Sequence, residues 1–315
     1  MKGLTDIPGI RVGHVSDFDA ITGCTAILCE AGAVGGVDIR GSASGTEEIE
    51  TLDPGHVTGR VHAVLLAGGS AFGLEAASGV RRYLEHKGVG FDTGAAKVPI
   101  VPAAILYDLG IGKPGVRPTL AMGEAAAAAA TDAAVPEGSV GAGTGATVGK
   151  ILGMRQAMKS GIGCHTVELP NGVLVSSLVA VNAFGDVRDP ATGKIVAGAR
   201  KAPDSREFAD TEEEMKRRPA AGFGGRNTTL AVVATNALLT KVQARKLAQF
   251  ASLGMARTIY PVNTTFDGDT VFALSMGTRA ADLNTLGVAA AESLSAAILR
   301  AVRLARTLGG IPGLA

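Results

Sequence analysis

Gly222-Phe223-Gly224-Gly225-Arg226-Asn227-Thr228-Thr229-Leu230-Ala231-Val232-Val233-Ala234-Thr235 is the stretch on which the reading of this chain turns. Its first half is glycine-rich and has no apolar period. Its second half, residues 228–235, is almost all β-branched or small and apolar. A Gly-rich segment has little to bury, whereas such a run fits a sheet covered on both faces. The boundary therefore predicts an exposed connector running directly into a buried strand. Upstream, the connector extends back to Lys201 through Glu212-Glu213-Glu214 and Lys216-Arg217-Arg218-Pro219, and its composition predicts an exposed, mobile segment. Downstream, Thr240 with Gln243 three positions later makes a capping box for a helix running through Leu247, Phe250 and Leu253 to Gly254.

Further out, short apolar runs bounded by Gly, Ser and Asp predict strands at residues 10–15, 25–29, 34–39, 61–66, 173–181 and 271–274. Residues 186–196 read as a hairpin turning at Asp189-Pro190-Ala191-Thr192-Gly193. Helical spacing of Ala77, Val80, Arg81 and Leu84 predicts a helix over 74–87 that stops at Gly88. Thr119 opens another, whose alanines from Ala125 to Ala130 allow close packing on a sheet. A long helix is expected over 280–308. No repeat of fixed period is present. This order predicts α/β architecture, with sheets covered by helices on their outer faces.

Composition narrows the function. The chain has 315 residues, and 44 glycines with 4% aromatic residues and no Trp make it light for its length. A hydrophobic content of 46% excludes a disordered protein, and the glycines have no collagen period. Thirty basic against 29 acidic residues leave a net charge of +1, which gives no electrostatic case for nucleic acid or an anionic membrane. Cys24, Cys29 and Cys164 have no CxxC spacing and suit buried, reduced thiols in a cytoplasmic protein. The opening Met-Lys-Gly-Leu-Thr-Asp-Ile-Pro-Gly-Ile lacks an apolar leader core, and no stretch reads as a membrane span. His14, His56, His62, His86 and His165 form no HExxH pattern, so no metal is expected. Cys164 and His165, as strand neighbours, would point to opposite faces.

Two glycine-rich stretches invite other readings. Gly141-Ala142-Gly143-Thr144-Gly145 lacks the downstream acid of a dinucleotide fingerprint, and Lys150 is followed by Ile151 rather than the Ser or Thr of a phosphate loop. Gly68-Gly69-Ser70-Ala71-Phe72-Gly73 fails as a nucleophile elbow because Phe72 stands where glycine is needed. As a tight strand-to-helix turn it could still offer the backbone N–H groups of Gly68, Gly69 and Ser70 to an oxyanion.

Asn227-Thr228 and Asp267-Gly268-Asp269 carry more chemistry. An Asn or Gly before a β-hydroxy residue, where a linker meets a buried strand, is the arrangement of self-cleaving N-terminal nucleophile hydrolases. The hydroxyl attacks the preceding carbonyl, and ester hydrolysis frees an N-terminal Thr whose own amine acts as base. A plain loop-to-strand junction is the other reading. The two aspartates flank a glycine before a strand, as in an Asx turn, but lack the further donors of a calcium loop. Beside a hydroxyl nucleophile, such a pair can orient it and bias its pKa.

Together these blocks resemble the L-aminopeptidase/D-esterase family, which includes β-peptidyl aminopeptidases and nylon-oligomer (6-aminohexanoate oligomer) endohydrolases. The likeness runs from Asp6-Ile7-Pro8-Gly9-Ile10-Arg11-Val12-Gly13-His14 through Ala67–Glu75, Val98-Pro99-Ile100-Val101-Pro102, Tyr107-Asp108 and Gly141–Lys150 to Asn227-Thr228-Thr229 and Asp267-Gly268-Asp269-Thr270. It implies one domain over 1–315 with a four-layer αββα sandwich, similar to N-terminal nucleophile hydrolases but differently connected. It also implies self-cleavage into 1–227 and 228–315, with assembly into tetramers of the cleaved pairs. By the same resemblance Thr228 is the nucleophile, Asn182 an oxyanion donor, and Lys150, Tyr107, Asp267 and Asp269 complete the site without a cofactor. Asp267 stands where the peptidase branch has Ser, so Asn227-Thr228 with Asp267 looks more like the nylon-hydrolase branch. The substrates implied are small peptides, amino-acid amides or oligoamides. An uncleaved, non-catalytic metabolite-binding protein of the same fold is the alternative from another class.

Overall fold

The structure, a computed structural model, describes residues 2–217 and 227–315. Its main sheet system has nine strands: β1 Arg11–Asp17, β2 Thr22–Ile39, β3 Gly45–Glu47, β4 Val61–Ala67, β5 Ala103–Ile105, β6 Ile162–Leu169, β7 Val173–Asn182, β8 Thr228–Ala237 and β9 Thr270–Arg279. The helices are α1 Glu75–His86, α2 Leu120–Ala128, α3 Thr211–Arg217, α4 Lys241–Ala256 and α5 Leu283–Arg303. In space the strands run β6-β7-β8-β9-β2-β4-β5-β3, and β1 pairs with the first half of β2.

Residues 25–29 and 34–39 were expected as separate strands, but they belong to one 18-residue strand, β2. Its first half pairs with β1 and β4 and its second half with β9. Between them the register shifts, with Gly32 at φ +83°. Glycine takes that conformation without a Cβ penalty, so it reads as a break in sequence while the chain carries on from one sheet into the next.

Strand period then sorts the side chains into three cores. In β8, Leu230, Val232 and Ala234 point between the sheets, where they meet Ile27, Val64, Leu66, Leu178 and Phe272. Ala231 and Val233 point the other way, against α4 and α5 through Leu247, Ala251, Leu294 and Ile298. On the far side, Ala26, Leu28, Ala63 and Leu65 pack under α1 and α2. The layers are therefore helix, sheet, sheet, helix: a four-layer αββα sandwich.

Helices α1 and α2 pack closely at two glycines. A Cβ on Gly79 of α1 would lie 1.9 Å from the Leu120 carbonyl oxygen, and one on Gly123 of α2 would lie 1.9 Å from that of Ala76. The two helices touch backbone to backbone, which larger side chains forbid. Thr119 caps α2, and the Thr240–Gln243 capping box opens α4 as expected. α5 begins at Leu283 because Asp282 Oδ1 accepts from the Asn284 and Thr285 amides, which trims the expected 280–308. By length and composition α5 could cross a membrane, but 67% of its most apolar window is buried inside this fold.

The expected mobile connector needs correction. Residues 211–217 form α3, and buried Asp186 accepts from both the Thr211 amide and hydroxyl at 2.7 Å. Asp186 also accepts from the Ala199 amide at 2.8 Å. The anchor is polar, so no hydrophobic period announced it. Residues 218–226, including the glycines before Arg226, lie outside the described residues.

Candidate active site

Topology brings three distant pieces of chain to one place. β7 runs antiparallel to β8, so its last residue, Asn182, sits opposite the first residue of β8, Thr228. β8 and β9 are parallel, so the turn before β9 arrives at the same end, and Asp267 bridges Asn227. The loop carrying Lys150 closes over them, because the Gly149 and Lys150 amides donate to the carbonyls of Gly185 and Phe184.

Thr228 is 2% exposed, and its hydroxyl donates to the Asn227 carbonyl oxygen at 2.5 Å. Asn182 is fully buried. Its Oδ1 accepts from Lys150 Nζ at 2.7 Å and from the Thr147 amide at 3.1 Å, while Nδ2 donates to the Tyr107 carbonyl at 3.0 Å. Lys150 Nζ also donates to the Asn182 carbonyl at 2.9 Å. Burial pushes the Lys150 pKa down to about 7, opposed first by the charge of Asp267.

The carboxylates are held by fixed donors. Asp267 accepts from the Phe184 amide at 3.0 Å and the Thr264 hydroxyl at 2.5 Å. Asp269 accepts from the amides of Thr229 at 2.7 Å and Asn263 at 3.0 Å. Burial raises both pKa values, and Asp267 adds repulsion that takes Asp269 to about 7. Neither carboxylate bonds the Thr228 hydroxyl in the continuous chain, contrary to the expected orienting contact. Asp269 instead fixes the backbone one residue further on, and the hydroxyl is already engaged by its own preceding carbonyl.

The Gly68–Ser70 expectation also needs correction. The Gly68 amide donates to Gly23, the Gly69 amide to Asp108 Oδ1 at 2.7 Å, and the Ser70 amide to Leu106. All three donors are committed to acceptors on neighbouring segments, so none is left for an oxyanion. The residue that organises this turn, Asp108, stood in a sequence block without an assigned role; it also accepts from Thr22 Oγ1 at 2.7 Å. Lys159 went unrecognised because Ala157-Met158-Lys159-Ser160 gives no pattern for a buried cation.

A cavity of about 220 Å³ opens beside this cluster, lined by Tyr107, Asp108, Ile111, Thr147, Lys150 and Asn227 among others. It brings Tyr107 to the candidate site. Among the described residues, no group of three His, Cys, Asp or Glu side chains could hold a metal ion. A buried hydroxyl, a side-chain amide, a lysine poised near neutrality and two acids beside a small cavity form an arrangement suited to acyl transfer.

Family and relatives make this chain a hydrolase of amide bonds. The chain belongs to peptidase family S58, whose model matches residues 2–314. It is 41% identical, over 99% of its length and 96% of the relative's, to an uncharacterized aminopeptidase of Mycobacterium tuberculosis. It is 32% identical to a 6-aminohexanoate-oligomer endohydrolase of Kocuria sp., over 95% of this chain and 85% of that protein. Among solved structures, the L-aminopeptidase D-Ala-esterase/amidase of Ochrobactrum anthropi, described as a variant of the Ntn hydrolase fold, superposes with TM-score 0.75 at 20% identity. That match covers 99% of this chain and 88% of the other and shows the shared fold.

Proposed function

We propose that this protein is a self-processing N-terminal nucleophile amidohydrolase acting as an aminopeptidase on small peptides or amino-acid amides. The observation that carries the reading is the placement of Thr228. Its hydroxyl lies 2.5 Å from the Asn227 carbonyl oxygen, at the end of β8, across from Asn182 and beside the group held by Lys150, Asp267 and Asp269. Cleavage before Thr228 would free an amine at the same place as the hydroxyl, so that one residue supplies nucleophile and base. Thr228 Oγ1 then attacks the substrate carbonyl, Asn182 Nδ2 stabilises the oxyanion, and water hydrolyses the ester on Thr228. Lys150 holds Asn182 and offsets the two acids, and Tyr107 lines the substrate cavity. No cofactor enters this scheme. The reading includes a cytoplasmic location, with which three buried, unpaired thiols agree, and assembly as a tetramer of cleaved pairs.

A second reading, an oligoamide endohydrolase, is favoured by Asp267 with Asn227-Thr228 and by the relative from Kocuria sp.. A panel of aminoacyl anilides beside 6-aminohexanoate oligomers separates the two. The test of the mechanism is intact-mass and N-terminal analysis of the purified chain. The small fragment is expected to start at Thr228, and Thr228→Ala is expected to stay at full length without activity. A wild-type chain that remains near 32 kDa under all conditions, or a fragment starting elsewhere, overturns the assignment.

A further inference from the structure

Among the described residues, two donors reach the carbonyl oxygen of Asn227. One is the Thr228 hydroxyl, which must give up its proton to become the nucleophile. The other is the backbone N–H of Gly268, at 2.9 Å. Resting on the self-processing reading, we propose that the Gly268 N–H is the oxyanion donor for the chain's own cleavage, and that position 268 is glycine to leave room for the Thr228 hydroxyl.

The step balances simply. Thr228 Oγ1 bonds to the Asn227 carbonyl carbon, and the C=O π pair moves onto the Asn227 oxygen, where the Gly268 N–H meets it. When that oxyanion collapses, the bond from carbon to the Thr228 nitrogen breaks, and the hydroxyl proton ends on that nitrogen. Water then splits the ester into the Asn227 carboxylate and the Thr228 hydroxyl. Asn182 has one identified Nδ2 contact, to the Tyr107 carbonyl, and none to the Asn227 oxygen. The donor for maturation and the donor proposed for turnover are thus different groups.

The Gly268 amide is fixed before any reaction. Asp267 is anchored to Phe184 and Thr264, Asp269 to Thr229 and Asn263, and the carbonyl oxygens of Asp267 and Asp269 accept from Ala43 and from Arg40 and Gly41. The N–H cannot swing away from the oxygen, which is the preorganisation that makes an oxyanion donor effective. The reason for glycine is space. Gly268 is not among the residues with positive φ, so another residue could adopt its backbone conformation. A Cβ there, however, would lie 2.8 Å from Thr228 Oγ1 and 2.6 Å from the Ala43 carbonyl oxygen.

The experiment follows conversion of freshly made full-length chain by intact mass. Two variants are compared with wild type: Gly268→Ala, and a chain carrying glycolic acid at 268, which replaces the N–H by oxygen without adding a Cβ. With folding checked by thermal unfolding, the ester chain is expected to convert about 10²–10³-fold more slowly, the usual cost of one oxyanion donor. Gly268→Ala is expected to stall because its methyl group displaces the nucleophile. An ester chain that converts at the wild-type rate overturns the donor assignment, and a Gly268→Ala chain that does so overturns the spatial argument. A wild-type chain that never converts overturns the self-processing reading and this inference with it; normal wild-type conversion makes the variants a test of this inference alone.

Discussion

Lys150 and Lys159 are two buried lysines nine positions apart with different surroundings. Burial pushes both pKa values down to about 7. Lys150 donates to the side chain and carbonyl of Asn182, lines the cavity and feels the charge of Asp267. Lys159 donates to the carbonyls of Thr144 at 2.9 Å and Ala146 at 2.6 Å, and the charge that supports it is that of Asp108. One holds the side chain proposed as the oxyanion donor. The other ties a glycine-rich loop to the short strand Met158–Lys159. Burial and a shifted pKa are common to both; what separates their roles is the identity of the acceptor.

The largest effect should come from the acceptor itself. Asn182→Ala, assayed as turnover of fully processed protein, is expected to lose about 10²–10³-fold if Nδ2 is the oxyanion donor. Wild-type turnover in that variant would leave Lys150 holding a structural amide, and the comparison would collapse. Next comes Lys150→Met, expected to lower turnover by at least about tenfold because Asn182 loses its anchor and the acids their counter-charge. A pH–rate profile tests the acids. With Asp269 near 7 and required as the carboxylate, kcat/KM should rise through that pH, and Asp269→Asn and Asp267→Asn should each slow catalysis and move the acidic limb downward. Unchanged turnover together with an unmoved limb in both would take the Asp267 and Asp269 carboxylates out of turnover.

Lys159→Met should have the smallest effect on turnover, leaving it within a few-fold of wild type. Its signature is in stability. The folded Lys159 releases its proton near pH 7 and the unfolded one near 10.5, so between those values the unfolded chain binds more protons and folding strengthens as pH rises. Lys150 acts in the same direction. Denaturant unfolding at several pH values across that window should show a shallower rise for each Lys→Met variant. A Lys159→Met protein that loses turnover as Lys150→Met does would erase the distinction between them.

Much of the fold was legible because its signals are local. The continuous run of β-branched and small apolar residues over 228–235 gave β8 with both faces buried, and the capping box at Thr240 placed the start of α4. In the sequence Gly32 looks like a strand ending, whereas its positive φ only bends β2. The site was legible as a set of blocks, and those containing Tyr107, Lys150, Asn182, Asn227-Thr228 and Asp267-Gly268-Asp269 do meet.

What the sequence determined by itself was the residue inventory, the strand and helix periods, and the boundary at Asn227-Thr228, because each depends on neighbours along the chain. Tertiary structure decided which donor meets which acceptor. It gave the amides of Gly68, Gly69 and Ser70 to Gly23, Asp108 and Leu106, and so removed them from the site. It turned Asp269 toward the Thr229 amide and aimed the Gly268 amide at the Asn227 carbonyl. A hydrogen bond is fixed by fractions of an ångström and a direction, and here those were set by strands paired across dozens of residues, beyond the reach of any pattern of sequence neighbours.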